Sequence, residues 1–322
     1  MEKNLYIDAS HPNETRIVLK SDHSIEEYEF EDKNNLNFKN NIYLATVSRV
    51  EPSLQAAFVN FGRDRHGFLA FNDIQSDYYQ LPSEDKEKIR IAEEKIREDL
   101  KDKTIELNQE NLQSESASEN KDDKTDENEI QVVKENEKQE YRDQIKSSFG
   151  IKRYRIQEVI KPGQVILIQV IKEERGQKGA ALTTFISLAG KYMVLMPNTA
   201  KGGGISRKIY NSTDRQKIRT ILNDIEIPKS MGVIVRTAGA NKTKNEIEKD
   251  FQNTLKTWEE IKDNALNSNA PSLVYEEGDI IKRTLRDTYD NETKNVYVEG
   301  NEAYQKAKKF MKELMPKNVK NI

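Results

Sequence analysis

The sequence predicts an α+β protein in which a five-stranded β-barrel, interrupted by a long acidic insert, is built onto a mixed α/β body. Short alternating runs of apolar and polar residues between 41 and 71, resuming at 161, are typical of half-buried strands. Between about 83 and 147 aromatic residues almost vanish. After Lys191 strands alternate with amphipathic helices, which indicates a mixed α/β region.

The N-terminal segment, residues 1–39, contains three short runs with strand character. They cover residues 4–10, 14–20 and 26–31, and each alternates apolar with polar side chains. Alternation and β-branched residues therefore predict short strands in this segment.

The barrel is predicted from strands on both sides of the acidic segment. Residues 41–52, 54–62 and 65–71 supply three strands, and residues 161–176 with the small-residue run after Gly179 supply two more. Five strands in a barrel of this size indicate an OB-fold, whose middle strands commonly carry the binding face.

The insert differs from the rest of the chain in charge. Residues 83–146 contain 13 Lys or Arg and 21 Asp or Glu, whereas the remainder contains 39 and 34. Residues 84–103 are compatible with a charged helix, and residues 109–129 cannot bury a core, so we expect the insert to be largely disordered. The folded remainder is mildly basic, although the whole chain has a net charge of -3.

In the region after Lys191, the pattern of apolar residues predicts strands that alternate with helices. A capped helix is expected behind Thr213, and a long amphipathic helix over residues 242–266. The predicted strands cover 191–197, 231–239, 272–277 and 295–300, and the remaining helices cover 213–225, 279–289 and 301–315.

Composition excludes several classes of site and protein. The 322 residues include no Cys and three His, which rules out disulfides and thiolate zinc sites and makes a nucleophilic triad unconvincing. Neither a secretory signal nor a run of 18 apolar residues is present, so a cytoplasmic protein without a membrane segment is expected.

The predicted barrel carries aromatic and basic side chains that suit single-stranded nucleic acid. Phe58 lies in one strand, His66 and Phe68 share one face of the next, and Lys172 and Lys178 flank a basic hairpin. Aromatic rings with a cationic rim form a stacking platform. The alternatives are that both Phe side chains fill the barrel interior, that His66 is an ordinary surface residue, and that the hairpin is simply solvated.

A second group of residues suggests a phosphate site. Gly202–Lys208 is predicted to be a loop that exposes backbone N–H groups beside Arg207 and Lys208, and Arg236 with Thr237 ends a strand. The loop lacks the GK[ST] ending of a Walker A motif. The alternatives are a flexible hairpin and, for Arg236, a structural ion pair.

No catalytic cluster is visible. Two-metal hydrolysis needs carboxylates on rigid strands, and the strand-end carboxylates Asp8 and Glu299 are the candidates considered. Both are interpreted as solvated or capping acids, so we assign no catalytic or metal-binding residue to the chain.

Four long motifs resemble the bacterial ribonuclease E/G family. They are NIYLATVSRVEPSLQAAFVNFGRDRHGFL, KEERGQKGAALTTFISLAGKYMVLMPN, GGISRK and GVIVRTAG. The resemblance covers nearly everything outside the insert. It implies an S1-type OB-fold RNA-binding domain (40–82 and 148–190), an insert (83–147), a 5′-sensor region (191–278) and an RNase H-like subdomain (1–39 and 279–322).

The resemblance also implies an activity. The family consists of endoribonucleases that act on single-stranded, AU-rich RNA in processing and decay, prefer a 5′-monophosphate end, use Mg²⁺ and form homotetramers joined by zinc. By motif, Phe58, Phe68, Lys172 and Lys178 would hold RNA. The 5′-phosphate pocket would comprise Gly190, Val194, Arg236 and Thr237, with Arg207 and Lys208 as weaker members.

The chain departs from the family pattern in length. In the family, the Mg²⁺-binding aspartates and the zinc-binding Cys pair follow this region, so we expect this chain to bind neither cofactor and to capture RNA without cutting it. The alternative is a free-standing, non-catalytic RNA-binding protein or regulator of a full-length nuclease.

Overall fold

A computed structural model describes residues 3–81 (apart from 12 and 33–36), residue 91, and residues 154–322 (apart from 175–177, 200–201, 229 and 291). Except for residue 91, the predicted insert at 83–147 lies outside the described residues. Arg175 and Gly176 of the basic hairpin also lie outside them.

Strands and helices alternate irregularly along the chain, which confirms the α+β class. The helices are α1 (Ile156–Val159), α2 (Ser212–Asp224), α3 (Lys244–Leu266), α4 (Ile280–Asp287) and α5 (Asn301–Leu314). The strands are β1 (Lys3–Asp8), β2 (Glu14–Ser21), β3 (Ile25–Asp32), β4 (Ile42–Glu51), β5 (Ala56–Asn60), β6 (Gly67–Ala70), β7 (Val165–Lys172), β8 (Ala181–Thr183), β9 (Leu188–Ala189), β10 (Met193–Met196), β11 (Gly202–Ile205), β12 (Gly232–Val235), β13 (Ser272–Tyr275) and β14 (Thr293–Glu299).

The predicted five-stranded barrel is confirmed. Its strands follow the order β4-β5-β6-β8-β7, and pairing of β7 with β4 closes it. Its interior is filled by branched apolar side chains such as Val59, Leu69 and Ile168, all fully buried. β13 pairs with β4 at Ser272 opposite Leu44, and so adds a strand beside the barrel.

A second sheet has the order β11-β12-β10-β9 and packs one face against α3. Met193 and Val235 lie on the buried face, where they join Phe251 of α3 in one core. The helix begins with a capping box between Thr243 and Glu246, as its sequence favours.

One prediction in this sheet is wrong. The glycine-rich run was expected to be a loop, but Gly202–Ile205 forms β11, parallel to β12. A Cβ on Gly204 would stand 3.4 Å from Cγ1 of Ile234, at the near limit of ordinary van der Waals contact, so β11 lies close against its neighbour. Only Ser206 and the residues after it leave the sheet.

The third sheet, β14-β1-β2-β3, joins the two ends of the chain. β1 pairs antiparallel with β2 and parallel with β14, so the C-terminal strand returns beside the first. Leu5 and Ile7 on β1 pack with Leu285 of α4 and Ala307 of α5 in a separate core. Among the described residues, no helix is both long and apolar enough to cross a membrane.

Candidate functional site

A row of side chains crosses the outside of the barrel. In the strand register Arg49 lies opposite Phe58, Phe58 opposite Phe68, Phe68 opposite Ala181, and Ala181 opposite Lys172. Residues in register on neighbouring strands project to the same face, so these five form one continuous line across all five strands. We call it the barrel row.

The barrel row lies on the surface of the barrel. Phe68 is 36% exposed and Phe58 is half-buried, whereas their neighbours Val59 and Leu69 are fully buried. The alternation along β5 and β6 therefore directs both Phe rings outward, so the interpretation that they fill the interior is wrong. Their ring centroids are 6.0 Å apart at an interplanar angle of 75°.

Cations lie at both ends of the barrel row. The guanidinium carbon of Arg49 is 4.4 Å from the centroid of the Phe58 ring, within the range of a cation–π contact. Lys172 is exposed at the other end. The two rings, which can stack on bases, thus lie between cations that can pair with phosphates.

Lys178 and His66 are exposed and lie beside this row. Gly179 is needed there, because a Cβ at this position would stand 2.1 Å from the carbonyl oxygen of His66. The N–H of Phe68 donates to the carbonyl of Ala180 at 2.7 Å, which fixes the segment that carries Lys178 against β6. The register thus brings Phe58, Phe68 and Lys172 together on one surface, and the segment that carries Lys178 lies next to β6.

The predicted phosphate-site residues meet at one end of the second sheet. The N–H of Gly190 donates to the carbonyl of Met193 at 2.8 Å, and the N–H of Arg236 donates to the carbonyl of Tyr192 at 2.8 Å. Thr237 is exposed at the start of the short 3-10 turn that follows Arg236. Val194, half-buried, lies opposite the exposed Ile234 on the outer face of the sheet.

The guanidinium of Arg236 already has protein partners. Its Nη1 donates to the carbonyl of Gly190 at 2.9 Å and to Oδ1 of Asp287 at 2.6 Å. The side chain is 29% exposed. The ion pair that the sequence left as an alternative is therefore present, and it holds the arginine at the surface.

Asp250 holds the turn that precedes β10. Its carboxylate accepts hydrogen bonds from the N–H groups of Lys191, Tyr192 and Met193 at 3.0, 2.8 and 3.1 Å. Burial raises the pKa of Asp250, although these three bonds oppose the rise. A Cβ on Gly190 would stand 2.5 Å from Oδ2 of Asp250, so this glycine is required for the close approach.

Lys191 ties the same turn to the third sheet's helix. Its ammonium donates to the carbonyls of Leu285 (3.2 Å) and Tyr289 at the C-terminal end of α4. A cation is favourable at a helix C-terminus, but burial of this side chain lowers its pKa to about 8.

A chain of charges links α4 to Arg236. Arg286 forms an ion pair with the buried Glu277, and its Nη2 binds Oδ2 of Asp287 at 2.8 Å. Burial favours the neutral form of Asp287, but the hydrogen bonds and charges of Arg286 and Arg236 outweigh it and hold its pKa below the usual range.

These contacts concentrate the buried charge of the described residues in one place. The charged side chains that are buried there are Lys191, Asp250, Glu277 and Arg286. With Asp287 they surround Arg236, and we call this set the Arg236 network.

Arg207 and Lys208 follow β11 and are exposed. The N–H of Ser206 donates to the carbonyl of Val235 at 2.9 Å, which places the two basic residues at the same end of the sheet as Arg236.

Neither Arg49 nor the buried charges of the Arg236 network were predicted from the sequence. A β-bulge between Val47 and Arg49 shifts the strand's alternation, so the face of Arg49 could not be read from periodicity. One signal was available for Asp250, because this acid lies between Ile247 and Phe251 on the apolar side of α3.

Metal ligands are a separate question. The described residues contain no group of three or more His, Cys, Asp or Glu side chains suited to a metal ion. Asp8 accepts hydrogen bonds from the N–H and hydroxyl of Ser10 at 3.0 and 2.6 Å, as a capping acid does, and these bonds lower its pKa. We therefore assign no metal ligand among these residues.

Comparison with known proteins relates this architecture to one family. The sequence pattern of the Ribonuclease E/G family matches residues 187–322. The chain is 31% identical over 320 residues to Ribonuclease E of Haemophilus influenzae, which covers 99% of the chain and 27% of that relative. It is 34% identical over 285 residues to Ribonuclease E of Escherichia coli, covering 88% of the chain and 21% of the relative.

A shorter relative shows the same similarity. The putative ribonuclease E of Buchnera aphidicola subsp. Baizongia pistaciae is 30% identical over 309 residues, covering 96% of the chain and 59% of the relative. The chain thus spans between 21% and 59% of the length of these three relatives. Nearly the whole chain, barrel and both flanking sheets included, aligns with them, and the chain belongs to the ribonuclease E/G family.

Proposed function

We propose that this chain binds single-stranded RNA through the barrel row and recognises a 5′-monophosphate end at Arg236. It would serve as the RNA-capture part of a ribonuclease E/G-type endoribonuclease in RNA processing and decay. The observation that carries this proposal is the barrel row itself, in which Phe58 and Phe68 stand in register between Arg49 and Lys172 on an exposed face.

The row suits single strands better than duplexes. In an A-form duplex the bases are stacked on each other and their faces are hidden, whereas an unpaired strand can turn its bases onto aromatic rings. Phe68 offers such a ring with 36% of its surface exposed. Arg49 and Lys172 lie where a strand crossing the barrel would place phosphates.

A terminal monophosphate differs from an internal phosphodiester in two properties. It carries close to two negative charges and three acceptor oxygens. Arg236 offers a guanidinium in a fixed position, and the exposed Thr237 offers a hydroxyl directly after it. Val194 would form a wall of this pocket, and Arg207 and Lys208 would add positive charge nearby.

The relatives named Ribonuclease E support a ribonuclease role for the longer proteins of the family. A preference for AU-rich RNA, a cytoplasmic location and assembly into homotetramers would follow from the same kinship and are part of the proposal. We assign Mg²⁺ and Zn²⁺ to none of the described residues, among which no group of three or more candidate ligands lies together.

The proposed RNA-binding face is tested by Phe68→Ala. Loss of a base-stacking ring should weaken binding of a single-stranded oligoribonucleotide by about 1–3 kcal/mol, measured by fluorescence anisotropy at fixed salt. Phe30→Ala removes a similarly exposed ring, 49% exposed, from the third sheet and serves as the matched control. Equal affinities of the two variants would refute a role for the barrel row.

The proposed end recognition is tested by Arg236→Gln. Two RNAs of one sequence, with 5′-monophosphate or 5′-hydroxyl ends, are titrated against wild type and variant. The variant should lose the preference for monophosphate, worth about 1.5–3 kcal/mol for a charge-assisted bond. Arg16→Gln, which also breaks a surface ion pair, should retain it. If the wild type binds the 5′-monophosphate and 5′-hydroxyl RNAs equally well, the proposed end recognition is refuted.

A further inference from the structure

We propose that Asp287 is the positioning residue of the 5′-phosphate site: it fixes the guanidinium of Arg236 and tunes its selectivity for a terminal phosphate. This inference rests on the proposed function of Arg236. Asp287 is the last residue of α4 and lies 51 positions along the chain from Arg236, yet its Oδ1 is 2.6 Å from Nη1 of that arginine.

The contacts of Nη1 divide the guanidinium of Arg236 into a part bound by the protein and an edge that we assign to the RNA. Gly190 and Asp287 both bind Nη1, one through its backbone carbonyl and the other through its carboxylate. Arginine binds phosphate in bidentate fashion with a pair of adjacent N–H groups, such as those of Nε and Nη2. We therefore assign Nη1 to contacts within the protein and the Nε–Nη2 edge to the terminal phosphate of the RNA.

Asp287 is itself held in place by the surrounding charges. Both of its carboxylate oxygens bind Arg286, Oδ1 to Nε at 3.1 Å and Oδ2 to Nη2 at 2.8 Å. Arg286 is in turn fixed by the buried Glu277. A functional group supported by such packed partners keeps its geometry before the ligand arrives, which lowers the entropic cost of binding.

Lys191 fixes the same helix end relative to the pocket. Its ammonium binds the carbonyls of Leu285 and Tyr289, the residues two positions before and after Asp287. Because Lys191 directly follows Gly190, the turn that binds Arg236 and the helix end that carries Asp287 are held together. The Arg236 network thus connects the second and third sheets at the proposed phosphate site.

The charge of Asp287 also affects selectivity. A guanidinium that is already paired with a carboxylate attracts a singly charged phosphodiester weakly. A terminal phosphate, with nearly two charges and three oxygens, still gains from the remaining N–H groups. Asp287 should therefore suppress binding of internal phosphates at Arg236 and so widen the difference between the two RNA ends.

The test is Asp287→Asn in the full chain, with 5′-monophosphorylated and 5′-hydroxyl oligoribonucleotides of one sequence as probes. We expect the ratio of the two affinities to fall by about tenfold, the scale of one charge-assisted hydrogen bond. Glu276→Gln makes the same change in net charge at an exposed position nearby and should leave the ratio unchanged. An unchanged or increased ratio in Asp287→Asn would overturn the inference.

A double variant distinguishes positioning from a general loss of structure. In the Arg236→Gln background, Asp287→Asn should change the affinity for neither RNA, because its target is absent. A change in either affinity there would show that Asp287 acts elsewhere and would overturn the inference. If Arg236→Gln abolishes the preference while Asp287→Asn retains it, the proposed function stands and the inference fails.

Discussion

The barrel row and the Arg236 network both present arginine to the proposed RNA, but they are built in opposite ways. In the barrel row Arg49 lies over the half-buried ring of Phe58, and the apolar barrel core beneath that ring stabilises the surface. Around Arg236, buried charges from three separate segments of the chain support one side chain. Side chains that accept any base need only lie on the surface of a stable barrel. Selective recognition of one charged end needs a side chain whose own position is fixed by several partners.

This difference predicts that removing one buried charge of the Arg236 network lowers the free energy of unfolding of the protein. Glu277→Ala would remove one of the two carboxylates that bind the buried Arg286 and leave Asp287 as the other. Breaking a buried ion pair typically costs about 3–5 kcal/mol, which is an upper value here because Asp287 remains. The control is Glu276→Ala, because Glu276 is exposed while its neighbour Glu277 is only 8% exposed. Thermal or urea unfolding should show a large loss for Glu277→Ala and a change within about 0.5 kcal/mol for Glu276→Ala. Equal small losses would show that Arg286 can reach solvent.

The two regions also differed in how far the sequence predicted them. Alternation along β5 and β6 identified the strands that carry Phe58 and Phe68, because each strand has one buried and one exposed face. The Arg236 network is not periodic: Lys191, Asp250 and Asp287 come from a turn, a helix interior and a helix end. They are brought together only because the turn at Gly190 and Lys191 contacts both α3 and the C-terminal end of α4, and no local sequence pattern records those contacts.

The glycine-rich segment shows a related limit. Gly202–Ile205 has the composition of a loop, yet it pairs in parallel with β12. Glycine disfavours a strand locally, and the neighbouring strand outweighs that preference. The composition of these residues therefore predicts a loop, whereas pairing with β12 makes them the edge strand of the sheet.

A second prediction concerns pH and separates the two regions further. Below pH 8, Lys191 is charged in both the folded and the unfolded chain. Between about 8 and the ordinary 10.5, the folded protein has lost this proton while the unfolded chain keeps it, so stability rises with pH. The free energy of unfolding of wild type minus that of Lys191→Met should therefore rise between pH 8 and 10, by at most about 1.4 kcal/mol per pH unit.

Chemical unfolding of both proteins at several pH values measures this difference. Subtraction cancels the titration of other groups, since the two chains share them. A difference that is flat or falls over this range would show that Lys191 keeps its proton in the folded protein. No comparable pH dependence is expected from Phe68→Ala, because that substitution touches no buried charge.

A third, smaller effect is expected in the barrel row. Arg49→Gln removes a cation from the exposed face of Phe58, a contact worth about 0.5–1 kcal/mol. If Arg49 also pairs with a phosphate, RNA affinity should fall uniformly across sequences, and the slope of log affinity against log salt should decrease by about 0.7. Affinity measured at four salt concentrations gives both values. An unchanged slope would limit Arg49 to supporting the ring.

The most direct test of the division between the two regions is whether each substitution affects only its own property. Binding of 5′-monophosphorylated and 5′-hydroxyl forms of one single-stranded RNA is measured for wild type, Phe68→Ala, Arg236→Gln and the double variant. Phe68→Ala should weaken both RNAs by the same factor, and Arg236→Gln should weaken the monophosphorylated RNA alone. The double variant should show the sum of the two losses within about 0.5 kcal/mol. A change in end preference on Phe68→Ala, or equal weakening of both RNAs on Arg236→Gln, would contradict the assignment of base binding to the barrel row and end recognition to Arg236.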